Sequence, residues 1–151
     1  MNLAPGRPGS PAHGGRAVLL GRGPSQIARA RRLARQALTA AGITDHVCLD
    51  STLLIVSELV TNALVHTRGR PLLVIETGQE SVRIQVRDDD PRLPAPYHPA
   101  PGSPHGRGLA LVAALAHHHG THHLPPGHGH GHGHGHGKVV WASLPTRPDG
   151  Q

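Results

Sequence analysis

The chain has 151 residues, a formal net charge of +6 at pH 7, 20 glycines, 15 prolines and one cysteine. This length suits a single domain with one hydrophobic core. The glycines and prolines concentrate in residues 1–24, 91–108 and 120–137, and this uneven distribution excludes collagen and a wholly disordered chain. Because there is no phenylalanine, one tyrosine and one tryptophan, the core must be built from Leu, Val, Ile and Ala.

The expected cellular location follows from cysteine usage and from the apolar segments. Cys48 is the single cysteine, so no internal disulfide can form, and this fits a reducing compartment. The longest apolar run covers residues 109–116, well short of the roughly 20 residues that a membrane helix needs. The N-terminus carries no apolar segment typical of a signal peptide. We expect a cytoplasmic protein with no membrane contact.

Positive charge is concentrated near the N-terminus, where seven arginines precede the first acidic residue, Asp45. Such a basic arm can bind nucleic acid or an acidic partner. It can also reflect a GC-rich genome, because GC-rich codons encode Arg, Ala, Gly and Pro. Since no aromatic residues alternate with the basic ones, no nucleic-acid partner is expected.

The first half of the chain predicts a leader, one strand and two helices. Residues 1–15 have the composition of a disordered leader, and residues 16–20 predict a short edge strand. A helix follows, with Ser25 as its N-cap and Gly42 just beyond its end. Apolar residues at helical spacing predict a second helix over residues 48–67. The buried stripe of this second helix is expected to contain Leu53, Val56, Val60 and Leu64.

The second half of the chain predicts an antiparallel hairpin, a helix and a final strand. Residues 72–75 and 81–88 predict two strands joined by a turn at Gly78 and Gln79. After them come a proline-rich loop at 89–105, a helix from Leu109 to about His118, a His/Gly-rich loop at 117–137, a strand over 138–144 and a tail at 145–151. The domain thus covers residues 16–144. Its predicted class is α+β, a two-layer sandwich of a mixed, mostly antiparallel sheet with helices on one face.

A carboxylate and an amide share one face of the second predicted helix. Glu58 and Asn62 are four residues apart and therefore about one helical turn apart. Asn62 could offer an oxygen to Mg²⁺, and Glu58 could accept a proton from a hydroxyl or water. The alternative is a solvated glutamate beside an asparagine that caps or hydrogen-bonds a neighbour.

Asp88 ends a strand in phase with Val82, Ile84 and Val86, so its side chain is expected to point toward the helices. A buried carboxylate must accept hydrogen bonds. The exocyclic amino group of a purine would suit it. The alternative is a strand-end aspartate that caps the following turn.

A glycine-rich segment, Gly106-Arg107-Gly108, opens the third predicted helix. Backbone N–H groups at a helix N-terminus bind phosphate oxygens, and glycine lets a ligand approach closely. The alternative is a flexible helix entry after a proline-rich loop.

A histidine tract follows the third predicted helix. Its alternating members are His128, His130, His132, His134 and His136. In an extended chain these side chains would lie on one side and could chelate Cu²⁺, Ni²⁺ or Zn²⁺. The tract contains no Cys, Asp or Glu, so the alternative is an expanded repeat in a tolerant surface loop that binds such metals only adventitiously.

Taken in their order along the chain, these motifs resemble those of a known protein family. Residues 57–66 (SELVTNALVH), 86–94 (VRDDDPRLP), 106–112 (GRGLALV) and 137–144 (GKVVWASL) resemble the ATP-binding anti-sigma-factor serine kinases, and more narrowly their short actinobacterial regulator-like members. That family has the Bergerat (GHKL) ATPase fold. The resemblance covers about residues 16–144.

The resemblance implies a role for each matching residue. Asn62 would ligate the Mg²⁺ that bridges the ATP phosphates, and Glu58 would be the general base. Asp88 would accept a hydrogen bond from the adenine amino group. The nucleotide-binding segment would comprise Gly106, Arg107, Gly108 and Leu109. Residues 89–105 would be a lid over the nucleotide.

The resemblance also implies a function and partners. The protein would bind ATP and Mg²⁺, hold a sigma factor, and transfer the γ-phosphate to a Ser or Thr of an antagonist protein, as a monomer or a homodimer. Two departures from the family pattern, Asp90 and Val139, favour the alternative of a non-catalytic switch of the same fold. The histidine tract leaves a further alternative, a metal-binding protein.

Overall fold

The computed structural model describes residues 14–90, 108–125 and 137–147. Along the chain these residues form β1 (Gly14–Leu19), α1 (Ser25–Ala40), α2 (His46–His66), β2 (Leu72–Thr77), β3 (Ser81–Asp88), α3 (Gly108–Leu115), β4 (His118–His123) and β5 (Lys138–Pro145). The strands form one five-stranded sheet in the order β1-β2-β3-β5-β4. Every neighbouring pair is antiparallel. The predicted α+β class, with helices on one face of the sheet, is confirmed.

The β2–β3 hairpin forms as its alternating pattern predicts. Gly78 donates its N–H to the carbonyl of Ser81 at 2.9 Å and closes the turn. Val82, Ile84 and Val86 are fully or almost fully buried, because successive side chains of a strand point to opposite faces. One face of the hairpin therefore supplies the core.

α1 begins at the expected residue but without the expected cap. Pro24 occupies the N-cap position with φ −63°, and no side chain caps the helix. Proline already has the backbone angle that the first turn needs. Gly42, with φ +72°, ends the helix as predicted, because a left-handed residue reverses the chain and glycine adopts that conformation without strain.

α2 is the central helix of the core. It begins two residues earlier than predicted because Asp45 caps it, accepting a hydrogen bond from the N–H of Cys48 at 2.8 Å. Leu53, Val56 and Val60 are buried as predicted, and Leu64 is partly buried. By length and mean hydropathy (1.5) this 21-residue helix could cross a membrane, but here its apolar residues pack against α1, α3 and the sheet.

β4 corrects two predictions. The third helix ends at Leu115, not near His118, and residues 118–123 form a strand where a loop was predicted. His and Gly have little preference for strands, so the sequence pattern did not signal it. The strand forms because the free edge of β5 supplies hydrogen-bond partners, with His118 opposite Ser143 and His123 opposite Lys138.

Candidate functional site

An ion pair joins the ends of two central strands at the helix-covered face of the sheet. Asp88 and Lys138 are directly opposite each other in the β3–β5 register. Lys138 Nζ lies 3.0 Å from Asp88 Oδ1. Both residues are almost fully buried, with 5% and 4% of their surface exposed. A buried pair of this kind persists only if its remaining polar atoms are hydrogen-bonded.

The neighbouring backbone completes the hydrogen bonding of the pair. The N–H of Asp90 donates to Asp88 Oδ1 at 2.9 Å, and Lys138 Nζ donates to the carbonyl of Asp90 at 3.0 Å. Asp88 therefore caps the turn after β3, as one of the two interpretations of this residue held. Within the described residues both bonds to the carboxylate fall on Oδ1, so Oδ2 is free to accept a bond from a ligand.

Burial and charge act in opposite directions on Asp88. Desolvation raises the pKa of this carboxyl above its ordinary value, and the hydrogen bond and positive charge of Lys138 oppose the rise. The cation thus favours the ionised carboxylate in a position that water reaches poorly. A carboxylate with one oxygen uncommitted can accept a hydrogen bond from an amino group.

Lys138 is a site residue that the motif search missed. It is the only lysine among the 15 basic residues of the chain. A usable signal was present, because Lys138 is in phase with Val140, Ala142 and Leu144, the buried residues of β5. A lysine in phase with a buried face must find an anion, and Asp88 was the inward-pointing carboxylate already identified.

Glu58 and Asn62 lie half-buried on α2. Neither side chain forms a hydrogen bond within residues 14–90, 108–125 and 137–147, so neither serves as a cap or a bridge in this part of the chain. The end of α2 lies near the end of β3, since Gly69 lies against the carboxylate of Asp89. The segment that follows α2 therefore adjoins the end of β3 that carries Asp88.

The N-terminus of α3 lies directly against Glu58. A Cβ atom on Gly108 would collide with Glu58 Oε2, so only glycine permits this approach without moving the carboxylate. Leu109, the next residue, packs partly buried on the core and anchors the helix start. The structure thus brings together two of the predicted elements, the glycine-rich helix start and the glutamate of α2.

Several predicted site residues lie outside the described residues. These are Gly106, Arg107, residues 91–105 of the expected lid, and the tract members His128, His130, His132, His134 and His136. Among the residues that are described, no group of three or more His, Cys, Asp or Glu side chains could hold a metal ion.

The described residues fit a bound nucleotide and one magnesium ion. Asp88 offers an acceptor for an amino group, and Gly108 gives close access to backbone at a helix N-terminus. Asn62 offers one uncommitted amide oxygen. One protein oxygen suffices because Mg²⁺ in phosphate sites takes most of its ligands from phosphate and water. The small number of protein ligands is therefore what such a site requires.

Val139 is one of the two departures from the pattern of the family that the chain resembles. That family often has a threonine here, whose hydroxyl would lie near the nucleotide. Its neighbour Lys138 points to the helix-covered face, so Val139 points to the opposite face, where it pairs with Arg87 and is buried. A hydroxyl at position 139 would therefore lie on the face opposite to Asp88. The valine at this position removes no polar group from the candidate site.

Comparison with known proteins assigns the family. Residues 22–143 match the model of the histidine kinase-like ATPase domain. No curated protein matches the chain. The matched segment runs from the entry of α1 almost to the end of β5 and contains Glu58, Asn62, Asp88 and Gly108, so fold, site and family agree on an ATP-binding domain. The chain belongs to the family of histidine kinase-like ATPase domains.

Proposed function

We propose that this ATP-binding domain is a protein serine/threonine kinase of the anti-sigma-factor type, working in the cytoplasm. It holds a sigma factor as one partner and phosphorylates a Ser or Thr of an antagonist protein. The observation that carries the proposal is the position of Glu58, a carboxylate without an ion pair or hydrogen bond among the described residues, one helical turn before Asn62 and in contact with Gly108. A regulatory domain that only bound ATP would have no need for a carboxylate at the phosphate end.

Asp88 is the residue that binds adenine in this proposal. Its carboxylate accepts a hydrogen bond from the adenine amino group through Oδ2, while Lys138 fixes Oδ1 at 3.0 Å. Lys138 is a positioning residue in this proposal, since it acts on the nucleotide through Asp88. The hydrogen bond of Asp90 N–H to the same oxygen holds the carboxylate from the other side.

Three residues act at the phosphate end of the site in this proposal: Asn62, Gly108 and Glu58. Asn62 would hold a magnesium ion through its side-chain oxygen, and the ion would supply positive charge beside the phosphates. The backbone at Gly108 binds phosphate oxygens. The hydroxyl oxygen of the substrate forms a bond to the γ-phosphorus as the bond from phosphorus to ADP breaks, and the hydroxyl proton passes to Glu58. The products are the phosphoprotein and ADP.

A second candidate function is a switch that binds ATP and a partner without transferring phosphate. The observation that favours it is Asp90, whose backbone is tied to Asp88 and Lys138 by two hydrogen bonds. This holds a second acid beside Asp88, at the position where the chain departs from the pattern of the family that it resembles.

The two candidates are separated by a transfer assay. Purified protein is incubated with Mg²⁺, γ-labelled ATP and each candidate antagonist protein from the same genome. Label on a Ser or Thr of one antagonist supports the kinase. ATP binding without label on any antagonist supports the switch and contradicts the kinase.

Asp88→Asn is expected to weaken ATP binding by about 1–3 kcal/mol, because it removes a charged hydrogen-bond acceptor from the adenine. Calorimetry at a temperature where both proteins are folded measures the effect. Asp89→Asn is the matched control, since it removes the neighbouring charge from a half-buried side chain. Equal affinities for wild type and Asp88→Asn would exclude the adenine role.

Gly108→Ala is expected to lower the phosphate-transfer rate about 10²-fold, because the new methyl group displaces the Glu58 carboxylate and misplaced groups catalyse poorly. The free energy of unfolding should stay within about 1 kcal/mol of wild type, since Glu58 can swing away. Gly78→Ala is the control, because its Cβ would make only an ordinary 3.4 Å contact. An unchanged transfer rate would mean that Glu58 works from another position or not at all.

A further inference from the structure

The sheet has a second face, opposite to α1, α2 and α3, which no helix or strand of the described residues covers and which we call the open face. Residues paired across the strands share a face, and three rows cross it. The first row contains Leu72, Arg87, Val139 and His122. The second contains Val74, Gln85, Trp141 and Gly120. The third contains Glu76, Arg83, Ser143 and His118.

The side chains of Arg83, Arg87 and His122 lie on the open face. The guanidinium carbon of Arg83 lies 4.7 Å from the ring centroid of Trp141. Within the described part of the chain, Arg83 Nε, Arg87 Nε and His122 Nδ1 are buried atoms without a hydrogen-bond partner. Burial lowers the pKa of His122, and the charges of Arg83 and Arg87 lower it further. Buried donors without acceptors are costly unless a ligand satisfies them.

Few acidic residues of the chain are placed to pair with Arg83 and Arg87. Glu76 is opposite Arg83 in the register, yet it is exposed and forms no ion pair within the described residues. The other described acids belong to α2 and its N-cap, to the β2–β3 turn, or to the Asp88 end of β3. Beyond the described residues the sequence contains one acid, Asp149. Anions that neutralise Arg83 and Arg87 must therefore come chiefly from another molecule.

We propose that the open face binds an acidic segment of a protein partner, with carboxylates on Arg83 and Arg87 and apolar side chains against Leu72, Val74 and Trp141. Arginine presents a planar fork that matches a carboxylate, and its Nε is one of the donors of that fork. Arginine and tryptophan are also the residues enriched at protein interfaces. The surface lies across the sheet from the ATP site, so it does not depend on the proposed kinase activity.

The open face favours an acidic protein over two other occupants. A second copy of the chain would bring a face with two arginines, Arg83 and Arg87, and one acid, Glu76, so the two faces would carry net charge of the same sign. A nucleic acid would need an extended basic surface and accessible aromatic rings. Here the chain has a single tryptophan, and the acids Glu76 and Glu80 lie at the Arg83 end of β3.

Trp141 makes a direct test possible because it is the only tryptophan. The probe is a synthetic peptide of alternating glutamate and leucine, titrated into the full chain while the fluorescence and indole N–H resonance of Trp141 are followed. We expect both signals to shift and saturate. Arg83→Gln together with Arg87→Gln should weaken binding about tenfold or more, because two charged hydrogen bonds are lost.

Arg32→Gln together with Arg35→Gln is the matched control, since it removes the same charge from exposed arginines of α1. It should leave peptide affinity within about twofold, because exposed charges at a distance are screened. Unchanged melting temperature and ATP affinity in both double variants show that the fold is intact. If either variant unfolds, Arg83→Lys with Arg87→Lys replaces it and should still weaken binding.

Four results would overturn the proposal. The first is an absence of Trp141 response to the peptide in wild type, and the second is equal loss of affinity in the two double variants. The third is a response to single-stranded DNA as strong as to the peptide. The fourth is a large gain in peptide affinity on Asp149→Asn, which would show that the chain's own Asp149 occupies the face.

Discussion

Lys138→Met is expected to lower the free energy of unfolding by about 3–5 kcal/mol, the usual effect of removing one partner from a buried ion pair. The Asp88 carboxylate would remain almost fully buried, and its one described side-chain partner would be lost. Urea denaturation at pH 7 measures the change. Arg147→Met removes an exposed cation just beyond β5 and should change stability by no more than about 0.5 kcal/mol.

The stability that Lys138→Met loses is expected to depend on pH in one direction. Burial already raises the pKa of Asp88 in the folded protein, and removal of the ammonium group raises it further. The folded variant then binds a proton more readily than the unfolded chain, so its stability increases as pH falls. We therefore expect the gap between Lys138→Met and wild type to be smaller at pH 5 than at pH 8.

A double variant separates burial of charge from packing. Asp88→Leu combined with Lys138→Met replaces the pair with apolar side chains, and replacements of this kind are often neutral or stabilising. We expect the double variant to recover most of the stability that Lys138→Met loses, and a double-mutant cycle gives the coupling. A loss below about 1 kcal/mol in Lys138→Met would instead place the pair among weak surface ion pairs.

Glu58→Gln is expected to lower the rate of phosphate transfer by about 10²–10⁴, the usual effect of removing a general base. The substitution keeps the size of the side chain and its place beside Gly108 but removes the proton acceptor. ATP affinity should stay within about tenfold of wild type, since Glu58 binds no nucleotide atom before the reaction. Single-turnover transfer and calorimetry give the two quantities separately.

Glu76→Gln is the control for this experiment, because it makes the same chemical change on the open face of the sheet. A wild-type rate in Glu58→Gln would mean that another group accepts the proton. If the wild type itself transfers nothing while it binds ATP and a sigma factor, the protein is the switch, and Glu58 has no catalytic role.

The parts of the fold that the sequence predicts are those with local signals. Strict alternation in residues 81–88 predicts which side of β3 is buried, and it places Asp88 on that side. Gly42 marks the end of α1 because a left-handed turn needs glycine. These features depend on a few neighbouring residues, so a single sequence contains them.

The parts that could not be predicted depend on pairing across distance. β4 has no strand-forming composition and is a strand because β5 lies beside it. The partner of Asp88 is Lys138, 50 residues away, and only the strand register brings them together. The open-face cluster likewise combines Arg83 and Arg87 of β3 with His122 of an unpredicted strand. For the candidate nucleotide site, motif order predicted Glu58, Asn62 and Gly108, whereas the contact between Glu58 and Gly108 required the packing of α3 on α2.

The long separation between Asp88 and Lys138 has a consequence for how the domain folds. β2 and β3 are joined by a short turn and can pair early, whereas β5 must close a loop of 49 intervening residues before it gains its contacts. Pairing of β5 is therefore expected to be a late step, and it also brings Lys138 to the carboxylate. A newly made chain would then become able to recognise adenine only as its last strand docks, so ATP would select completed molecules from partly folded ones and stabilise them by mass action.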